Sequence, residues 1–261
     1  SRQHYGAAIT AFIIWGFFSI PLRALKAYSA GEILYFRILL SAFILAVIIV
    51  GFRRPSAIKM RIDFTQLGIK AKRRVIILTL AGGALLTVNW LLFIYIVNNI
   101  NIKTASFSYL ICPVFTAVLG YVLIQEKLTV LQWIAVGLCT LSCVLIGLQS
   151  VTELGYSIFT AMTYALYLIT QRVNQGFDRL NLLGVQVIFS LLILSFFFSE
   201  LVSVVPVTFS FYAIILIIAI LFTILPLFLN LFALNKINSA TIGILMYLNP
   251  LINFTLAFVV F

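Results

Sequence analysis

The chain has 261 residues, of which 64% are hydrophobic and 9% charged, with a mean hydropathy of +1.20 and a net charge of +11. A water-soluble domain covers its exterior with roughly a quarter charged residues, so an exterior this poor in charge must face lipid. Composition therefore sets aside a soluble enzyme or binding domain and implies an all-α polytopic membrane protein, because helices satisfy their own backbone hydrogen bonds in hydrocarbon.

A bilayer core needs roughly 20 apolar residues per helical crossing. By that measure crossings are predicted near 5–22, 31–51, 75–97, 104–124, 130–149, 154–171, 181–204, 211–234 and 240–261. Along the chain, His4 stands beside Arg2 and reads as part of a solvated terminus. The first helix continues through Trp15-Gly16-Phe17-Phe18 without a small-residue cleavage pattern, and is taken as a retained helix rather than a signal peptide. The second carries Arg37 about six residues in, roughly 9 Å deep at 1.5 Å per residue. A guanidinium there needs a partner or a polar cavity. It either holds a substrate carboxylate or phosphate through two parallel hydrogen bonds, or makes a structural pair with a carbonyl or with Glu32.

Next comes the long basic link, where eight of the 17 Lys and Arg residues fall (Arg53, Arg54, Lys59, Arg61, Lys70, Lys72, Arg73, Arg74). Basic residues near membrane helices stay cytoplasmic, so the link and the N-terminus are placed in the cytoplasm, with anionic lipid head groups as the expected partner of residues 53–74 rather than nucleic acid. Gly82-Gly83 in the third helix permits close packing. Asn89 and Trp90 follow at mid-span, where an amide must face the bundle interior, as cavity lining or as a tie between helices. Tyr95, Ser106, Tyr109, Asn230, Tyr247 and Asn249 form a further polar and aromatic set on helices 3, 4, 8 and 9, each open to a plain packing role. Pro113 and Pro250 remove one backbone donor each and are expected to kink their helices at equivalent points, as hinges for gates or as packing features. Cys112, Cys139 and Cys143 lie in apolar spans as small hydrophobes, and no metal site or cofactor is expected.

Two internal offsets repeat the pattern. A shift of 137 lays 89–124 on 226–261 and pairs Asn98/Asn235, Asn101/Asn238, Thr104/Thr241 and Pro113/Pro250. A shift of 149 lays 6–50 on 155–199 and pairs Arg23/Arg172, Ser41/Ser190 and Arg37 with Gln186. Coincident Asn, Thr and Pro matches are hard to obtain by chance in apolar sequence. The unit begins at helix 1 and recurs at helix 6, so it holds five helices, and an odd number inverts the second copy. Two inverted repeats are expected over 1–150 and 151–261, ten helices in the full plan with about nine in this chain, the second repeat lacking its last.

Trp15-Gly16 with Pro21, Glu32-Ile33-Leu34 followed by Arg37 and Ser41, Asn89-Trp90-Leu91-Leu92-Phe93-Ile94, and Gln132-Trp133-Ile134-Ala135 together resemble the EamA-type permeases of the drug/metabolite transporter superfamily, and most closely their RarD branch. The resemblance implies a bacterial inner-membrane permease with a central cavity between inverted halves, moving metabolites or drugs, often outward. Phe36, Thr104, Ser108 and Cys112 depart from the family pattern. Mid-span Asp and Glu are absent, which leans toward passive or exchange transport or coupling through Glu32. No nucleophile–base pair is present, so an enzyme is not expected; the alternative to a transporter is a non-transporting sensor or scaffold. The substrate-site candidates are Arg37, Asn89, Trp90, Tyr95, Ser106, Tyr109, Gln186, Tyr247 and Asn249. The charge asymmetry predicts that cysteines placed at Lys59 or Lys70 resist an impermeant thiol reagent in intact cells while one at Asn101 reacts. The reverse labelling pattern overturns the orientation.

Overall fold

In the computed structural model the chain is an all-helical bundle; residues 2–100, 102–147 and 151–259 are described, a few of them by backbone alone. The helices are α1 Arg2–Ala24, α2 Ala30–Phe52, α3 Arg54–Gln66, α4 Ile69–Asn99, α5 Ile102–Ile124, α6 Val130–Gly147, α7 Val151–Val173, α8 Arg179–Phe196, α9 Phe209–Ala233, α10 Ser239–Leu245 and α11 Leu248–Val259. Among the described residues, six of them (α1, α2, α4, α5, α8 and α9) contain stretches long and apolar enough to cross a membrane. The chain is an all-α polytopic membrane protein.

Helix ends are set by side chains that satisfy backbone donors left free in the first turn. Ser29 and Glu32 form a capping box at α2, Ser29 Oγ accepting from Glu32 N at 3.2 Å while Glu32 Oε2 accepts from Ser29 N at 3.0 Å. Asp178 caps α8 by accepting from Leu180 N and Asn181 N, both at 3.1 Å. Asn238 caps α10 by accepting from Thr241 N at 2.9 Å. That cap accounts for one of the paired Asn–Thr positions in the internal repeat: the motif ends one helix and starts the next.

Prolines explain the irregular helices. Pro226 cannot donate to the carbonyl four residues back, and α9 widens into a π-helical stretch at Ile218–Ile224. The freed carbonyl of Phe222 accepts instead from Trp15 Nε1 of α1, at 3.0 Å. Pro250 likewise frees the carbonyl of Met246, which accepts from Asn249 N at 3.1 Å, and the helix breaks there into α10 and α11. Around Pro113, by contrast, α5 runs unbroken from Ile102 to Ile124. The expected symmetric kinks are therefore unequal, because one proline sits inside a continuous helix and the other just after a break.

Two further expectations change. The basic link is not a bare loop, since Arg54–Gln66 forms a helix whose Pro55 stands in its first turn, where a missing N–H costs nothing. His4 is not solvated; its ring stacks on Phe232 of α9 with centroids 4.5 Å apart, because α1 packs along α9 from its first turn.

Helix pairs follow a reciprocal pattern. α4 packs on α7 and α8, and α9 packs on α1 and α2; α5 packs on α7, and α11 on α1; α2 packs on α8, and α5 on α10. Individual contacts repeat the exchange. Tyr35 meets Phe198 with ring centroids 4.9 Å apart, and the positions 149 residues away, Gly184 and Ile49, are also in contact. Tyr247 donates to the carbonyl of Leu110 at 2.8 Å, and these two residues are 137 positions apart. The chain enters α1 on the face that carries α3 and enters α7 on the opposite face.

Close approach demands glycine at Gly31. A Cβ there would fall on the Leu201 backbone, 2.9 Å from its Cα, whereas a Cβ on Gly155 meets nothing within 4 Å. Gly31→Ala is expected to destabilise the protein by about 1–3 kcal/mol. Gly155→Ala on the exposed face of α7 should be neutral or stabilising by up to about 1 kcal/mol. Thermal unfolding of the two variants in detergent checks the ranking.

Candidate functional site

Four arginines are buried or half-buried in the bundle, and their surroundings differ. Arg172, at the end of α7, donates from Nε to Glu126 Oε1 at 3.1 Å and from Nη1 to the Leu234 carbonyl. Glu126 also accepts from Ser239 N at 2.8 Å and from Ser239 Oγ at 3.1 Å. Arg179, opening α8, forks onto Asn235 Oδ1, reaching it at 2.8 Å from Nε and again from Nη2, and donates from Nη1 to the carbonyls of Gln171 and Asn174 at 3.2 and 3.1 Å. Arg53 pairs with Asp178 at 2.9 Å on the same face. These contacts fasten together the corners α5–α6, α7–α8 and α9–α10, and with them the end of α2, through two ion pairs and the hydrogen bonds of Arg179.

Arg37 is different. It is 8% exposed, yet no carboxylate among the described residues lies within ion-pair distance, and its Nε has no acceptor. Glu32 does not supply one, since its carboxylate caps α2 and accepts from Val204 N at 3.4 Å. The guanidinium instead lies 5.0 Å from the Trp90 ring centroid and 5.7 Å from that of Phe18, within the range over which a ring face attracts a cation. Tyr109 is within electrostatic reach.

From Tyr109 a run of aromatics crosses the interior. Tyr109 meets Phe93 at 5.5 Å and Tyr164 at 6.3 Å between centroids, and Tyr164 meets Tyr167 at 5.7 Å. Asn230 donates to Tyr164 Oη at 3.3 Å. Tyr167 Oη and Asn230 Oδ1 are buried without partners. α1, α2, α4, α5, α7 and α9 each contribute a side chain to this cluster. Trp90 and Tyr109 are only half-buried, whereas Tyr164 and Tyr167 of the same cluster are buried.

Of the residues singled out in the sequence, Arg37, Trp90 and Tyr109 come together here, as does Asn230. Asn89 is a tie: it donates to the Thr160 carbonyl at 2.9 Å and to Thr163 Oγ1 at 3.2 Å, holding α4 on α7. Gln186 is turned onto Gln171 Oε1 at 3.1 Å, over Gly82 of α4. It lies about 10 Å in from the face carrying α3, while Arg37 lies about 10 Å in from the other face, at 1.5 Å per residue. Tyr95 is 47% exposed and stacks on Tyr156, away from the cluster. Tyr247, in the turn between α10 and α11, ties that turn to α5 through Leu110, and Asn249 follows the break in the helix. Pro113 packs against Gly243 of α10. The side chain of Ser106 lies outside the described residues, as do those of Cys139 and Cys143.

Tyr164 and Tyr167 were not singled out in the sequence. Their signal is the spacing Tyr164-Ala165-Leu166-Tyr167, which puts two phenols on one face at mid-helix. The fork of Arg179 onto Asn235 was invisible, because Asn235 lies 56 positions away in the chain.

Comparison with known proteins gives the same family the residues resemble. Residues 4–148 match the model of the EamA-like transporter family. An uncharacterized transporter of Pseudomonas aeruginosa is 32% identical over 64% of this chain and 53% of its own length. The RarD protein of Escherichia coli is 34% identical over 52% of this chain and 43% of its own length. An uncharacterized transporter of Bacillus subtilis is 26% identical over 96% of this chain and 83% of its own. The chain thus spans about half the length of the first two relatives. A solved crystal structure superposes with a TM-score of 0.74 at 12% identity, covering 99% of this chain and 88% of the other, a likeness of fold alone.

Removing one partner of a buried pair strands the other charge. Glu126→Gln should therefore lower stability by about 2 kcal/mol, below the 3–5 kcal/mol of a fully buried pair, because a quarter of the Arg172 side chain is exposed. A double-mutant cycle with Arg172→Gln, read by thermal unfolding, checks the coupling.

Proposed function

The chain belongs to the EamA-like transporter family, and on that premise we propose that it is a small-molecule permease working by alternating access between two inverted repeats, 1–150 and 151–261. The observation that carries the reading is the reciprocal packing: equivalent helices of the two halves exchange neighbours, and equivalent positions such as Leu110 and Tyr247 touch. Two halves of one shape in opposite orientation can interchange their conformations and open a shared centre to either side. The polar ties at the α3 face and the aromatic cluster around Arg37 then take the parts of a closed gate and a central site. Outward movement of the solute follows the family resemblance.

The basic face is assigned to the cytoplasm by its charge. There α3 exposes Ile58 and Ile62 one turn apart, with Lys59 and Arg61 also exposed. Such a helix lies in the membrane surface with its apolar residues in lipid and its cations on anionic head groups.

A probe of access needs no knowledge of the solute. With Cys112, Cys139 and Cys143 replaced by Ser, a single cysteine at Tyr109 should react with a membrane-impermeant thiol reagent added from either side of oriented proteoliposomes, without leakage of the reagent across them. Reaction from one side only supports the sensor or scaffold reading and defeats alternating access. Leakage through the unmodified protein indicates an open pore.

A further inference from the structure

Three of the four buried or half-buried arginines allow a comparison within one molecule. Arg172 donates to a carboxylate and to a carbonyl, and Arg179 donates from all three of its nitrogens. Arg37 has aromatic faces above its plane and an Nε with no acceptor. Ring faces stabilise the charge of a guanidinium but leave its in-plane N–H donors unmet. A side chain more than nine-tenths buried in this state lacks a planar, bidentate, negatively charged partner.

The remaining walls say what that partner carries. Trp90, Phe18, Tyr109, Tyr164 and Tyr167 are aromatic, so the body attached to the anion is flat and apolar. Aspartate, glutamate and histidine are missing from the cluster among the described residues, so an ammonium group on the ligand would be buried without a counter-charge. A single arginine balances one negative charge; Arg179 is occupied by Asn235 and backbone carbonyls and cannot serve a second.

We infer that the Arg37 cluster binds aromatic monocarboxylates, the carboxylate on the guanidinium fork and the ring among Trp90, Tyr109 and Tyr164, and that it discriminates against the corresponding amino acids and amines. This substrate class rests on reading the cluster as the transport site. Arg37 provides affinity by hydrogen bonding and charge together, so a lysine, which keeps the charge but loses the planar fork, is a partial replacement.

The test uses the full chain in lipid nanodiscs, with 3-phenylpropionate, L-phenylalanine, 3-phenylpropylamine and phenyl phosphate as probes. Binding is read by thermal shift and by quenching of tryptophan fluorescence. The expected result is that 3-phenylpropionate stabilises the protein and binds at least about tenfold more tightly than the other three. Arg37→Gln should weaken 3-phenylpropionate by about tenfold or more, and Arg37→Lys by less. Equal binding of 3-phenylpropylamine, no binding of 3-phenylpropionate by the wild type, or unchanged binding by both Arg37 variants overturns the inference. Should the variants fail to fold, the wild-type ranking of the four probes decides alone. Flux in proteoliposomes separates this idea from the permease reading. Arg37-dependent binding without flux upholds the ligand class and defeats the permease. Saturable flux of an amine or a neutral solute, unchanged in Arg37→Gln, upholds the permease and overturns the ligand class.

Discussion

Hydrocarbon supplies no hydrogen bonds, and every polar group placed within it has to be met from inside the protein. Much of this bundle follows from that constraint. Pro226 releases the carbonyl of Phe222, and the indole of Trp15 meets it, which fixes α1 against α9. Asn89, the position equivalent to Pro226 under the shift of 137, fixes α4 against α7 by donating to Thr160 and Thr163. The two halves thus make the same helix pairing through different chemistry. Small polar side chains do similar work elsewhere: Thr87 and Ser190 bond to each other at 2.8 Å and both reach the Gly83 carbonyl, binding α4 to α8.

Against this background seven buried side-chain atoms among the described residues keep no partner, His4 Nδ1, Asn89 Oδ1, Asn181 Oδ1 and Gln186 Oε1 at scattered positions and three more in the aromatic cluster. Arg37 Nε, Tyr167 Oη and Asn230 Oδ1 are buried without partners, and Tyr109 and Tyr164 link the first of them to the other two. At the α3 face the opposite holds, with Arg53, Arg172 and Arg179 carrying multiple acceptors between them. The fold thus gives acceptors to its arginines at the α3 face and leaves the Nε of Arg37 without one in the interior.

The legibility of these features varied with the range of the interaction. Apolar run length placed the helices, because a crossing is local in sequence, but of the nine expected crossings only six contain a stretch long and apolar enough among the described residues. Arg37, Trp90 and Tyr109 were visible as costly residues at mid-span, and they do converge. Tyr95 sits in an equally apolar run, but its helix face turns outward, where it stacks on Tyr156. Asn89 drew notice for the same reason as Trp90, its direct neighbour, yet successive residues on a helix point about 100° apart, and one became a tie while the other took up the guanidinium. The helix Arg54–Gln66 escaped notice because its basic residues read as a solvated link.

Sequence by itself determined the class: an apolar composition leaves no alternative to a membrane bundle, and the apolar runs mark where its helices lie. It also marked Arg37 as the residue whose charge needed an explanation. What it left open was whether that charge is paired, since an ion pair depends on the distance between groups that the chain brings together from far apart. Glu32, five residues away, was the obvious partner and is occupied by the cap of α2 and by Val204. Arg179 found its acceptor on Asn235, and Arg37 found two aromatic faces and no acceptor. Only the tertiary structure decided between these outcomes, because hydrogen bonds act over about 3 Å while sequence distance says nothing about which helices meet.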